Sequence, residues 1–112
     1  MLAGDSRLIT PTEPPRCKIS WFVFVVRLAD KFTQEQRDKV LEAMRAKGIQ
    51  VAVYFTPVHL QPFMTKQYGY KKGDFPVTES IAERTIALPF YNNLTKDDIA
   101  TVCKTLKEIL PG

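Results

Sequence analysis

Ser20-Trp21-Phe22-Val23-Phe24-Val25-Val26-Arg27-Leu28 is the stretch on which the fold turns. Aromatic and β-branched residues fill it, so it reads as a strand. Side chains alternate across a strand, which sends Trp21, Val23 and Val25 to one face and Phe22, Phe24, Val26 and Leu28 to the other. Both faces are apolar and both need cover. Helices can supply it on one side; the other must meet a third layer, another subunit or a further domain.

Outward from this strand the pattern is helical, then extended again. Thr33-Gln34-Glu35-Gln36 has the form of a capping box. The helix it opens carries Val40, Leu41 and Met44 on one stripe, with Arg37, Lys39, Glu42 and Arg45 elsewhere. Gly48 suits the left-handed position past the helix end and returns Ile49 to Met44. Ile49 to Phe55 predicts a second strand. Asp74-Phe75-Pro76 predicts the cap and first turn of a short helix to about Arg84, with Val77 and Ile81 on one side. Thr85-Ile86-Ala87-Leu88 is a short third strand, stopped by Pro89. Thr95 caps a last helix whose Asp97 and Asp98 suit its positive end, and Ile99, Val102, Cys103, Leu106, Ile109 and Leu110 keep helical spacing. Residues 1–16, with Pro11, Pro14 and Pro15, read as a linker or lead-in, and 17–112 as the domain. The expected class is α+β: a small antiparallel or mixed sheet of about three strands packed with two long helices.

Composition sets the bounds. The chain has 112 residues, 45% hydrophobic and 25% charged, enough for one core. The longest apolar run, Trp21 to Val26, is far short of the ~20 residues a spanning helix needs, and the N-terminus shows no secretory pattern. A cytoplasmic location is the expectation, with no membrane partner. Cys17 and Cys103 belong to no CxxC or Cys/His cluster; two free, buried thiols in a reducing compartment are the plainer reading beside a disulfide. A formal charge of +4 is spread from Arg7 to Lys107. Nucleic-acid domains cluster such charge on one face, so a nucleic-acid partner is not expected. Neither GxGxxG nor GxxxxGK[ST] occurs.

Chemistry concentrates between Tyr54 and Tyr91. Thr56-Pro57-Val58-His59-Leu60-Gln61-Pro62-Phe63 leads to a Tyr- and Lys-rich tip ending at Gly73-Asp74. Structureless connections seldom exceed ~12–15 residues in a compact domain unless they are functional or disordered, and this one is too aromatic for disorder. His59 is the only histidine. Imidazoles suit proton transfer or a hydrogen bond to a sugar or phosphate oxygen, although a lone loop histidine packs or caps as often. No second ligand stands near it at metal-site spacing. Tyr54, Tyr68, Tyr70, Phe63, Phe90 and Tyr91 could stack on a ligand or bury themselves against a neighbouring subunit. Glu79 and Glu83 fit a solvated helix face better than an acid/base pair, and Glu79 lies close enough to brace the loop.

Pro57-Val58-His59-Leu60-Gln61-Pro62, Gly69-Tyr70, Gly73-Asp74-Phe75-Pro76, Glu79-Ser80-Ile81-Ala82 and Leu88-Pro89-Phe90-Tyr91-Asn92-Asn93-Leu94-Thr95 follow one another in a specific order. Together with Ser20–Leu28 and Lys47-Gly48-Ile49 they resemble the C-terminal small domain of the DegT/DnrJ/EryC1/StrS aminotransferases, from about Leu8 to Leu110. The resemblance implies a part of a fold-type-I enzyme that uses pyridoxal phosphate to aminate nucleotide-linked keto-sugars. It further implies that the Schiff-base lysine lies in a large N-terminal domain outside this chain, since none of the ten lysines here matches that motif. The chain alone would then bind no cofactor and supply no catalytic residue. It would contribute substrate contacts, implied at Tyr54 and His59 and, less directly, at Gln61 and Tyr68, beside a homodimer interface. The competing reading is a stand-alone binding or dimerisation module for an anionic ligand or RNA; the Trp21–Leu28 strand lacks the RNA-recognition pattern.

Overall fold

The computed structural model describes residues 2–112. Its sheet is antiparallel, in the order β1 (Leu8–Ile9), β2 (Phe24–Leu28) and β3 (Thr85–Leu88). Leu8 stands opposite Leu28, and Phe24 opposite Leu88. Four helices accompany it: α1 (Gln34–Ala46), α2 (Pro62–Tyr68), α3 (Pro76–Ala82) and α4 (Lys96–Ile109). The α+β class with two long helices is therefore as expected.

Alternation along β2 builds the core. Val26 and Leu28 are wholly buried and pack with Val40, Leu41 and Met44 of α1, Ile86 of β3 and Cys103 and Leu106 of α4. Burying an aliphatic side chain of this size is worth about 1.5–3 kcal/mol, so this cluster is the main stabilising term. Val25 and Arg27, on the opposite face of β2, are only half-buried.

Local chemistry sets the helix ends as the sequence implied. The Gln36 amide donates to Thr33 Oγ1 at 3.2 Å and the Thr33 amide donates to Gln36 Oε1 at 2.8 Å. Thr95 and Asp98 repeat the arrangement on α4, and the Thr95 hydroxyl bond holds the Asp98 carboxyl below the usual range. Gly48 sits at φ +79°, where a side chain would be strained, and the Ile49 amide reaches back to Met44 O at 3.1 Å.

Four expectations are corrected. First, β2 begins at Phe24: Trp21 and Phe22 lie outside the ladder, and Phe22 is 75% exposed. Second, Ile49–Phe55 forms no strand. Only Ala52 bridges, to Ala87, while the Val51 carbonyl accepts from the Arg45 guanidinium and the Tyr54 carbonyl from Thr85 Oγ1. Side chains take the acceptors that a ladder would have used. Instead, Leu8–Ile9 of the lead-in supplies the third strand, and Leu2 and Leu8 enter the core. Arg7 fastens this segment by donating to the carbonyls of Leu110 (2.9 Å) and Lys107 (3.2 Å) at the end of α4 while Asp5 pairs with it.

Third, Arg37, set apart above from the stripe of Val40, Leu41 and Met44, is buried with it. It is 2% exposed and donates from Nη1 to the carbonyls of Ala82 (3.1 Å) and Thr85 (3.2 Å), joining α1 to the α3–β3 corner. Fourth, α3 opens without a side-chain cap. Asp74 accepts from the Lys71 amide at 2.9 Å, and Val77 and Ile81 are exposed rather than packed. Cys17 and Cys103 are both free thiols, but only Cys103 is buried; Cys17, on the stretch before β2, is exposed, against expectation.

Candidate functional site

The excursion after Tyr54 is folded, not structureless. Pro57 leads into a single 3₁₀ turn, Val58–Leu60, and Pro62 starts α2 at a position that tolerates its missing N–H. Gly69 at φ +71° ends α2 and turns the chain back. The tip then runs to α3.

Two anchors fix this excursion, and both stand on the α3–β3 segment. At its root, Thr85 Oγ1 donates to Tyr54 O at 3.0 Å. At its tip, the Glu79 carboxylate receives the Gly73 amide at 2.8 and 3.0 Å and the Phe75 amide at 3.1 Å. Gly73 reaches this contact at φ +100°, a conformation that favours glycine. These amide bonds, the Gly73 one foremost, hold the Glu79 carboxyl below the ordinary glutamate range despite burial. The post itself is rigid: Arg84 is 7% exposed, binds Ser80 through its carbonyl and hydroxyl, and pairs with Asp30.

His59 lies against this second anchor. Its ring meets Phe75 edge-on at 4.7 Å and Tyr70 at 6.4 Å, and Nε2 stands 3.5 Å from Glu79 Oε2. The residue is 6% exposed, and Nε2 makes no hydrogen bond. Of the readings the sequence left open for His59, packing is the one seen: aromatic rings close over it.

The other residues singled out by sequence are spread along the excursion. Tyr54 is half-buried at the root, its ring edge-on to Phe55. Gln61 donates from Nε2 to Thr56 O at 3.1 Å and so closes its own turn. Tyr68 is 59% exposed on α2, 5.9 Å from Tyr70. Between the root, the start of α1 and α3 lies a cleft of about 180 Å³, whose lining includes Gln34, Arg37, Thr56, Leu60, Lys72 and Glu79. Donors, acceptors and both signs of charge meet there, as a polar ligand requires. A separate groove of about 330 Å³ near Leu2, Phe24, Leu88 and Val102 is apolar and offers no such chemistry.

Sequence reasoning placed Glu79 no nearer than a possible brace and missed Arg37 altogether. The signal for Glu79 was present, in a glycine and a carboxylate six residues apart around a short helix. Arg37 had one too: it precedes Val40, Leu41 and Met44 by three, four and seven residues, the spacing that puts it on the buried stripe of α1.

A lysine that forms a Schiff base depends on desolvation to release its proton. Nine of the ten lysines here are exposed and Lys107 is half-buried, so none fits as an anchor for an aldehyde cofactor. Among the described residues no group of three His, Cys, Asp or Glu could hold a metal ion, and no helix is long and apolar enough to cross a membrane.

Comparison with known proteins is concordant. Residues 2–107 match the model of the DegT/DnrJ/EryC1/StrS aminotransferase family. An uncharacterised protein of Methanocaldococcus jannaschii is 39% identical over 103 residues, which cover 92% of this chain and 27% of that protein. The spore coat polysaccharide biosynthesis protein SpsC of Bacillus subtilis is 32% identical over 94% of this chain and 27% of its own length. The chain thus spans about a quarter of the curated relatives it matches. Among solved structures, a Streptococcus pneumoniae protein described as a sugar aminotransferase, in its PMP form, superposes with a TM-score of 0.85 at 20% identity, over 95% of this chain and 26% of that one. The aminotransferase TlmJ of Streptoalloteichus hindustanus gives 0.80 at 24% identity, over 97% and 28%. These likenesses confirm the fold, and the family match over nearly the whole sequence assigns the rest: the chain belongs to the DegT/DnrJ/EryC1/StrS aminotransferase family.

Proposed function

We propose that residues 17–112 serve as the C-terminal small domain of a cytoplasmic, pyridoxal-phosphate-dependent aminotransferase acting on nucleotide-linked keto-sugars, with 1–16 as the lead-in from a cofactor-bearing domain. The cofactor, held there, supplies the carbanion stabilisation that transamination needs. This chain supplies the substrate lip. One observation carries the reading: an aromatic and polar excursion pinned at root and tip to a rigid post, beside a polar cleft. Binding groups act best when their supports are locked.

In this reading Tyr54, His59, Gln61 and Tyr68 orient the substrate and exclude water, and none transfers a proton. Exposed Phe63, Phe90 and Tyr91 suit burial against a second subunit. The test is kinetic, in the longer polypeptide that carries this sequence. Tyr68→Ala should raise KM for the nucleotide sugar about tenfold, equivalent to ~1.4 kcal/mol of binding, with kcat nearly unchanged, because contacts made equally in ground and transition states act on KM. Unchanged KM in both Tyr54→Phe and Tyr68→Ala would remove the lip from substrate binding. An upstream reading frame closed by a stop codon would remove the parent enzyme altogether.

A further inference from the structure

The buried pair at the tip carries a consequence for how His59 can meet a ligand. An ionised carboxylate only accepts hydrogen bonds. Glu79 is already committed to the Gly73 and Phe75 amides, which favour its charged form, and its Oε2 faces His59 Nε2 at 3.5 Å. A bare Nε2 lone pair aimed at that oxygen would be repelled, and 3.5 Å leaves no room for a water between the two buried atoms. The proton of a neutral imidazole must therefore sit on Nε2. Phe75 and Tyr70 fix the plane of the ring by T-shaped packing, and a half-turn within that plane would set a C–H rather than Nε2 against Glu79.

We propose that Glu79 is a positioning residue that makes His59 a hydrogen-bond acceptor, with Nε2–H turned to the carboxylate and the Nδ1 lone pair left for a donor. On the lip reading above, on which only this clause rests, the donor is a hydroxyl or amino group of the sugar. For the neutral ring a phosphate oxygen is excluded as the partner of Nδ1, because it is itself an acceptor. This narrows the contact to the sugar end of a nucleotide sugar.

His59 is the only histidine, so its imidazole nitrogens can be observed in the 112-residue chain without assignment. Nitrogen-15 spectra at about pH 8.5, where an ordinary imidazole is neutral, should show one nitrogen of N–H type and one bare, with the N–H on Nε2. Glu79→Gln should move both signals toward the averaged position of a free imidazole, and Glu79→Asp, which keeps the charge, should retain part of the split. Averaged signals in the wild type, the proton on Nδ1, or two N–H-type nitrogens would each overturn the proposal. An E79Q spectrum identical to wild type would do so as well. If E79Q loses the methyl dispersion of the core, the wild-type spectrum decides alone. The substrate clause is separated by the longer enzyme: a fixed Nε2–H tautomer with unchanged KM in Tyr54→Phe and Tyr68→Ala leaves the positioning intact and rejects the lip.

Discussion

Glu79 receives the amide of Gly73 on both of its carboxylate oxygens, across only six residues of sequence. The contact closes the tip into a loop that owes its shape to one side chain. Glu79→Ala should leave the core intact and speed hydrogen exchange at Gly73 and Phe75 roughly tenfold or more, as local opening replaces global unfolding. The same carboxyl gives an acid response. Its folded value lies below the ordinary 4.5, so its stabilisation is complete above that value and is lost as pH falls through the lowered one. Exchange at the two amides, followed from pH 6 downward, checks the sign.

His59→Ala should now be costly. The imidazole packs against Phe75 and Tyr70 with 6% exposure, and its removal leaves a void under two rings. A loss of about 1–2 kcal/mol is expected from chemical denaturation, with the excursion loosening before the sheet. A change within about 0.5 kcal/mol would fit a solvated side chain and contradict the packing seen here.

The lead-in gives a second acid transition. The Arg7 side chain draws the Asp5 carboxyl down to about 2, chiefly through their hydrogen bond. The contribution is therefore whole above the ordinary 3.8 and disappears as pH falls from there toward 2. Solvent screening keeps it near ~1 kcal/mol. Asp5→Asn should abolish that part of the acid unfolding curve, and Arg7→Ala should do so while also fraying the last turn of α4.

Exposed apolar side chains predict association. Phe22, Phe63, Val77 and Tyr91 are each more than half exposed, at 75%, 62%, 72% and 57%. Sedimentation should show species larger than a monomer at high concentration, reduced by Phe22→Ser. A strict monomer across the concentration range would mean these residues are scattered, without a joint surface.

Mixed with pyridoxal phosphate and borohydride, the chain should acquire only slow labelling spread over several lysines. Stoichiometric capture at one lysine, seen by peptide mass mapping, would contradict this reading, since nine of the ten lysines are exposed and Lys107 is half-buried.

What could be read from the sequence was what neighbouring residues decide. The Thr33 capping box, the Thr95 cap, the Gly48 turn and the β3 run depend on contacts within a few positions, and each stands where the pattern put it. What could not be read depended on distant partners. Ile49–Phe55 has the composition of a strand, yet Arg45 and Thr85 claim its carbonyls. Leu8–Ile9 has almost no pattern of its own and becomes a strand because Leu28 and Arg27 offer it an edge. His59 was found as a candidate from its type and position, but its burial depends on Phe75 and Tyr70 folding over it, which no local rule encodes.

The hold of Arg7 on Leu110 brings the segment entering β1 beside the segment leaving α4. Entry and exit then share one doorway, and the unit can be spliced into or out of a longer chain without rerouting its neighbours. A circular permutant joining residue 112 to residue 2 through a short glycine linker, opened at the exposed Asn92-Asn93 turn, should keep the sheet order and the tip anchor. Such a modular unit could be exchanged between relatives as a cassette, carrying its pinned excursion with it.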